Sequence, residues 1–222
     1  MKIRDKSECI DYIDQDIARR KKEITTLIFL IEKARGQEKI LLMKSALILF
    51  YSHWEGHIKN CSIAYLNFLN NQGLRYCKLK ENFYYLSLSE EFRCGFSISK
   101  IQHQIKLYQH MSEISNKTFK VKEGSIIDTS SNLKYDVLNT ILLQLGFDSS
   151  VFNQKENFIN EILLGYRNAI AHGELRDCKS IENAYREVKD TLLPLIEAFR
   201  TLVSNAVRSE EHTSELQSRI TI

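Results

Sequence analysis

The chain has 222 residues, with 31 Lys and Arg against 28 Asp and Glu, a formal charge of +3. At 43% apolar and 27% charged residues it is neither a disordered chain nor a membrane protein. So small a charge does not make a nucleic-acid binder by bulk electrostatics, and any such contact needs a local site. Average usage would give roughly 15 Gly and roughly 11 Pro at this length. The 8 Gly and the single Pro194 are too few for the tight turns of a sandwich or barrel, which leaves long helices.

The N-terminus is charged throughout and has no apolar leader. The most apolar window, residues 40–51, contains Lys44 and is too short to span a bilayer. The five cysteines (Cys9, Cys61, Cys77, Cys94, Cys178) are odd in number and show no CxxC spacing. They read as reduced thiols of a cytoplasmic protein.

In chain order, residues 7–34 place Ile10, Ile13, Ile17, Ile24, Leu27, Ile31 and Ala34 at alternating spacings of three and four, interrupted at Arg20. This is one apolar stripe on a long helix, with Ser7 as N-cap and Gly36 as stop. A second helix over residues 37–71 carries Met43, Leu47, Phe50, Trp54, His57, Cys61, Ala64 and Phe68 on one face. The short link at Gly36 makes the two an antiparallel hairpin.

Residues 74–130 are less regular and read as an insertion. Ser87-x-x-Glu90 and Ser99 resemble helix starts. A helix reaches Ile114, and residues 120–131 form a loop or short hairpin. Helical order resumes at Asn132, with Gly146 as C-cap. The next helix, residues 152–172, aligns Phe158, Ile162, Gly165 and Ala169. The last runs from Ile181 to about Val207, and Pro194 should kink or break it.

Residues 208–218, RSEEHTSELQS, match a reading frame of a common sequencing-library adapter. Residues 1–207 are therefore expected to form the native domain, with 208–222 an artefact and His212 without function.

The string Tyr166-Arg-Asn-Ala-Ile-Ala-His172-Gly carries the chemistry. Asn168 and His172 are four apart and share a helix face. Arg167 lies five before His172, about 140° around the axis. Gly173 should end the helix, leaving His172 in the last turn, where exposed carbonyls favour an imidazolium. Such a His can move a proton to or from a ribose 2′-hydroxyl or the leaving oxygen. The guanidinium can stabilise charge developing on the phosphate. A bare R-x4-H is a weak signal by itself, and a surface Arg beside a capping His has the same spacing.

Other residues have two readings each. His53, His57 and Cys61 lie at steps of four and could hold zinc, but two of them fall in the apolar stripe, where a hydrogen-bonded core histidine is the ordinary case. The run Arg19-Arg20-Lys21-Lys22 could hold phosphate or be a solvated face. The aromatics of Asn82-Phe-Tyr-Tyr85 could contact RNA or cover the bundle. Trp54 reads as core. Tyr166 could stack on RNA, although packing is the ordinary role.

The string RNAIAHGE resembles the R-x4-6-H signature of the HEPN superfamily. The segment LFYSHWEG (residues 49–56) resembles a second signature, that of MAE-type HEPN-like nucleases. The resemblance implies an all-α, HEPN-type bundle of four main long helices with a smaller helical insertion. It also implies a metal-independent endoribonuclease without cofactor, a toxin or effector of a prokaryotic defence system acting on RNA. Such proteins are commonly homodimers, and an antitoxin partner is possible. Carried over by motif, Arg167 and His172 are catalytic. Asn168, Tyr166 and Glu55 support them, Glu55 either by pairing with Arg167 or in a structural salt bridge. The alternative is a catalytically silent HEPN module that binds protein, nucleotide or RNA.

Overall fold

A computed structural model describes residues 2–92, 95–174, 177–209 and 213. Cys94, His212 and nearly all of the adapter-like tail lie outside the described residues. The described elements are helical: α1 (Lys6–Lys33), α2 (Gly36–Asn71), α3 (Glu81–Glu91), α4 (Ile101–Ile114), α5 (Glu123–Ile126), α6 (Tyr135–Leu145), α7 (Gly165–Ala171) and α8 (Cys178–Ser209). No helix among them is long and apolar enough to cross a membrane.

The long helices α1, α2 and α8 pack on one another, and their stripes meet in one core. Ile13, Ile24 and Ile31 of α1 share this core with Phe50, Trp54 and Cys61 of α2 and with Ile196, Phe199 and Val203 of α8. Trp54 is fully buried. Among the described residues, three ion pairs run along the α1–α8 seam: Asp14–Arg200 at 2.6 Å, Glu32–Lys189 at 2.8 Å, and Lys21–Glu197. The fourth side of the bundle is a composite, made of a seven-residue π-helical stretch (Phe158–Leu164) running directly into α7.

That π-helix departs from the expected regular helix. Its i→i+5 bonds rotate the side chains that follow. Ile159, Leu163 and Leu164 are buried in place of Ile162, which is only half-buried. Asn160 in this stretch accepts the Tyr135 N–H through its side chain at 2.9 Å and so caps α6.

Other boundaries also move. The α1 N-cap is Asp5, not Ser7: its carboxylate accepts the Glu8 N–H at 2.9 Å. Ser87 lies within α3 and starts nothing. Residues 120–131 contain the one-turn helix α5 and no strand. α8 runs unbroken through Pro194, which is exposed, so the carbonyl it leaves unpaired is on the solvent side.

The segment between α2 and α6 folds back onto the end of α2. Asn70 both donates to the Val121 carbonyl at 2.8 Å and accepts the Val121 N–H at 2.9 Å. Phe83 enters the core and Tyr84 packs on Tyr76, whereas Tyr85 is exposed. Of Asn82-Phe-Tyr-Tyr85, most therefore covers the bundle.

Candidate functional site

α7 ends where the sequence requires it. Gly173 takes φ +73°, a left-handed conformation open to glycine. Gly173 N–H donates to the Ile170 carbonyl at 3.1 Å, and Glu174 N–H to the Ala169 carbonyl at 2.8 Å. This Schellman closure leaves His172 as the C-cap residue. Its imidazole is exposed and makes no hydrogen bond among the described residues.

Arg167, one and a half turns earlier, is half-buried and held on three sides. One terminal nitrogen donates to Asn168 Oδ1 at 2.6 Å. The other donates to the Ser131 carbonyl at 3.2 Å. The guanidinium carbon sits 4.7 Å from the centre of the Tyr51 ring, within cation–π range. All three partners are neutral, and no carboxylate lies within ion-pair distance among the described residues. The positive charge is anchored but not neutralised.

Tyr51 was not singled out in the sequence, where it reads as one more apolar residue before SHWEG. It is fully buried, and its hydroxyl accepts the Leu133 N–H at 2.6 Å. Burial pushes the phenol up to about 12; the Leu133 N–H and Arg167 oppose the rise, and the Glu55 carboxylate one turn along α2 adds to it. Glu55 therefore acts on Tyr51 and forms no direct pair with Arg167.

The loop that supplies Ser131 and Leu133 is unusual. Ser130 and Ser131 take φ of +51° and +54°. Left-handed backbone costs an L-residue roughly 1–2 kcal/mol. Its contacts with Arg167 and Tyr51 help to hold it there.

Asn168 thus stands where the motif places it, beside Arg167. Tyr166 turns away: its hydroxyl lies 2.6 Å from Ser180 Oγ and ties α7 to the start of α8. No hydrogen bond joins Arg167 to His172.

A second polar cluster is buried between α1 and α2. Arg20 was expected on a solvated face of α1 or at a phosphate; it is only 4% exposed. Its Nε donates to Asp16 Oδ2 at 2.6 Å and one terminal nitrogen to Asp16 Oδ1 at 3.0 Å. The other donates to the His53 carbonyl at 3.0 Å. His57 Nδ1 lies 2.8 Å from Asp16 Oδ2, and since a carboxylate only accepts, that nitrogen carries the proton. Asn60 donates to Asp16 Oδ1 at 3.0 Å.

Burial would raise the Asp16 carboxyl, but hydrogen bonds from His57, Arg20 and Asn60 outweigh it and hold the group well below the usual carboxylate range. His53 is pushed down, by burial first and then by the Arg20 charge. The neighbouring Arg19 pairs with Asp16 and Glu23, so the basic run is largely engaged within the chain.

The trio His53, His57 and Cys61 does not assemble as zinc ligands. The donor atoms that converge are those of Asp16, His57 and Cys61, within 4.8 Å of one another. The guanidinium of Arg20 already occupies that carboxylate, placing a fixed cation where an ion would bind. Gly56 makes room for it, having no Cβ to press on the guanidinium.

Comparison with known proteins agrees with the helical architecture. The family model described as RiboL-PSP-HEPN matches residues 15–205, a span containing α2, the Ser130–Ser131 loop and α7. No curated protein and no solved structure matches the chain. The narrower MAE-type likeness rests on the SHWEG and RN-x3-H strings alone. With the match covering most of its length, the chain belongs to the RiboL-PSP-HEPN family of the HEPN superfamily.

Proposed function

We propose that the protein is an endoribonuclease in which Arg167 and His172 act on one ribose–phosphate linkage. The observation that carries this is the state of Arg167, a guanidinium pinned by a ring, an amide oxygen and a carbonyl, with no acidic partner among the described residues. A structural arginine is ordinarily matched to a carboxylate, as Arg20 is to Asp16. Arg167 instead keeps its charge for an anion, as a phosphate-binding arginine must. His172 stands exposed at the end of the same helix, open to a ribose–phosphate linkage.

The chemistry needs only these groups. The 2′-oxygen loses its proton and forms a bond to phosphorus as the bond to the 5′-oxygen breaks. The imidazole moves protons between the two oxygens. The products are a 2′,3′-cyclic phosphate and a 5′-hydroxyl. Two copies with their α7 ends facing each other would supply one imidazole as base and one as acid, so a homodimer is part of the proposal. A cytoplasmic toxin or defence effector, controlled by an antitoxin protein, is the biological role that suits such an activity.

The test is induction of the full chain in a bacterial host beside Arg167→Ala and His172→Ala. Growth arrest with fragmented RNA in the wild type alone supports the proposal. Equal arrest in all three overturns it and leaves a binding module.

A further inference from the structure

Arg167 is held by groups that themselves converge on one residue. Tyr51 is fully buried in α2, so its ring cannot swing away. The ring supports the guanidinium at 4.7 Å. Its hydroxyl accepts the Leu133 N–H at 2.6 Å, and two residues earlier in the same loop the Ser131 carbonyl accepts Arg167 at 3.2 Å. Between the two contacts the chain turns out of the left-handed conformation taken at Ser130 and Ser131. Tyr51 therefore grips the arginine directly, and again through the loop it anchors.

We propose that Tyr51 is a positioning residue for Arg167: its ring face and its hydroxyl together set the plane in which the guanidinium meets a phosphate of single-stranded RNA. The role rests on the proposed meeting of Arg167 with an RNA phosphate, whether or not the strand is then cleaved, and adds to it. A guanidinium has five N–H donors in a rigid fork. With the ring below, Asn168 on one nitrogen and Ser131 on the other, the free donors are aimed, and no carboxylate among the described residues competes for them. A flexible arginine would lose that orientation, and a small displacement of a charge-stabilising group carries a large rate cost.

The test varies the electrostatics of the ring while keeping its shape. Position 51 of the full chain is filled with Phe, 4-fluoro-Phe, 3,5-difluoro-Phe and 3,4,5-trifluoro-Phe, and Arg167→Ala serves as control. Two readouts are taken, kcat on a mixed-sequence single-stranded RNA and affinity for the same oligonucleotide with 2′-O-methyl riboses, which binds but cannot react. Thermal midpoints establish that each variant is folded.

Fluorine withdraws charge from the ring face, and a purely space-filling role does not respond to it. Stepwise loss of kcat, reaching about tenfold from Phe to trifluoro-Phe, is expected for a partly desolvated cation–π contact. A flat series in both readouts, with Arg167→Ala inactive, overturns the role of Tyr51 and leaves the ribonuclease assignment standing. Cleavage that survives Arg167→Ala overturns both. If no RNA is cleaved, affinity for the 2′-O-methyl strand decides: a graded fall supports the positioning role, and a flat series overturns it.

Discussion

Gly56 and Arg20 fit against each other with no room to spare. A Cβ added at Gly56 would lie 3.0 Å from both terminal nitrogens of the Arg20 guanidinium. The glycine of SHWEG thus creates the space in which α1 presents a buried cation to α2. Arg20 cannot move aside cheaply, because Asp16 and the His53 carbonyl hold it. Gly56→Ala should therefore destabilise the fold: overpacking costs typically about 1–3 kcal/mol, only partly offset by the better helix propensity of Ala, about 1 kcal/mol. Gly124→Ala, in α5 with open space around it, is the control and should be neutral or slightly stabilising. Urea unfolding of the two variants checks the contrast.

Removing the anion is more costly. Asp16→Ala strands the Arg20 charge at 4% exposure and takes away the partner of His57. The expected loss is about 3–5 kcal/mol, the range for breaking a buried pair from one side. Replacing Asp16 and Arg20 together by Leu and Met should recover much of it. A double-mutant cycle by denaturant midpoint measures the coupling.

The same cluster sets the response to acid. The folded-state pKa of Asp16 is depressed, so its contribution is present above the unfolded value, about 3.9, and is lost as pH falls toward the folded one. His53 is also depressed, so the folded state holds it neutral and stability starts to fall below its unfolded value, about 6.5. Stability should decline in two stages on acidification. His53→Gln should remove the upper stage and leave the lower, as followed by thermal midpoints between pH 7 and pH 3.

Much of this was legible in the sequence, and the failures have physical causes. The stripes of α1 and α2 were visible because buried helices repeat at three and four. Gly173 and Gly146 ended their helices because each is left-handed. Arg20 departs from the expectation because a run of four basic residues suggests solvent, although its place between Ile17 and Ile24 puts it on the buried stripe. The burial became intelligible only with Asp16 one turn before it and His57 across the helix pair. The π-helix left no trace in the apolar pattern, because a register shift of one residue comes from tertiary packing. Tyr51 was hidden for a related reason: a buried aromatic beside Phe50 and Trp54 looks like core, and its second role depends on a loop 82 residues away.

Asn168 offers a narrower check on the arginine. Its Oδ1 holds one Arg167 nitrogen at 2.6 Å. Asn168→Asp would keep the hydrogen bond but place a carboxylate against the guanidinium, neutralising the charge reserved for phosphate. Cleavage should fall by about 10- to 100-fold, comparable to losing part of an electrostatic stabiliser, while the thermal midpoint holds or rises. An Asp variant as active as the wild type would show that the free charge on Arg167 is not used.

The most direct measurement is the end chemistry of RNA cut by purified wild-type protein, with His172→Ala run alongside. Internal attack by the 2′-hydroxyl predicts fragments ending in a 2′,3′-cyclic phosphate and beginning with a 5′-hydroxyl, and His172→Ala slower by about 100-fold or more. Fragments with 5′-phosphates, or equal cleavage by His172→Ala, would contradict an Arg167–His172 centre.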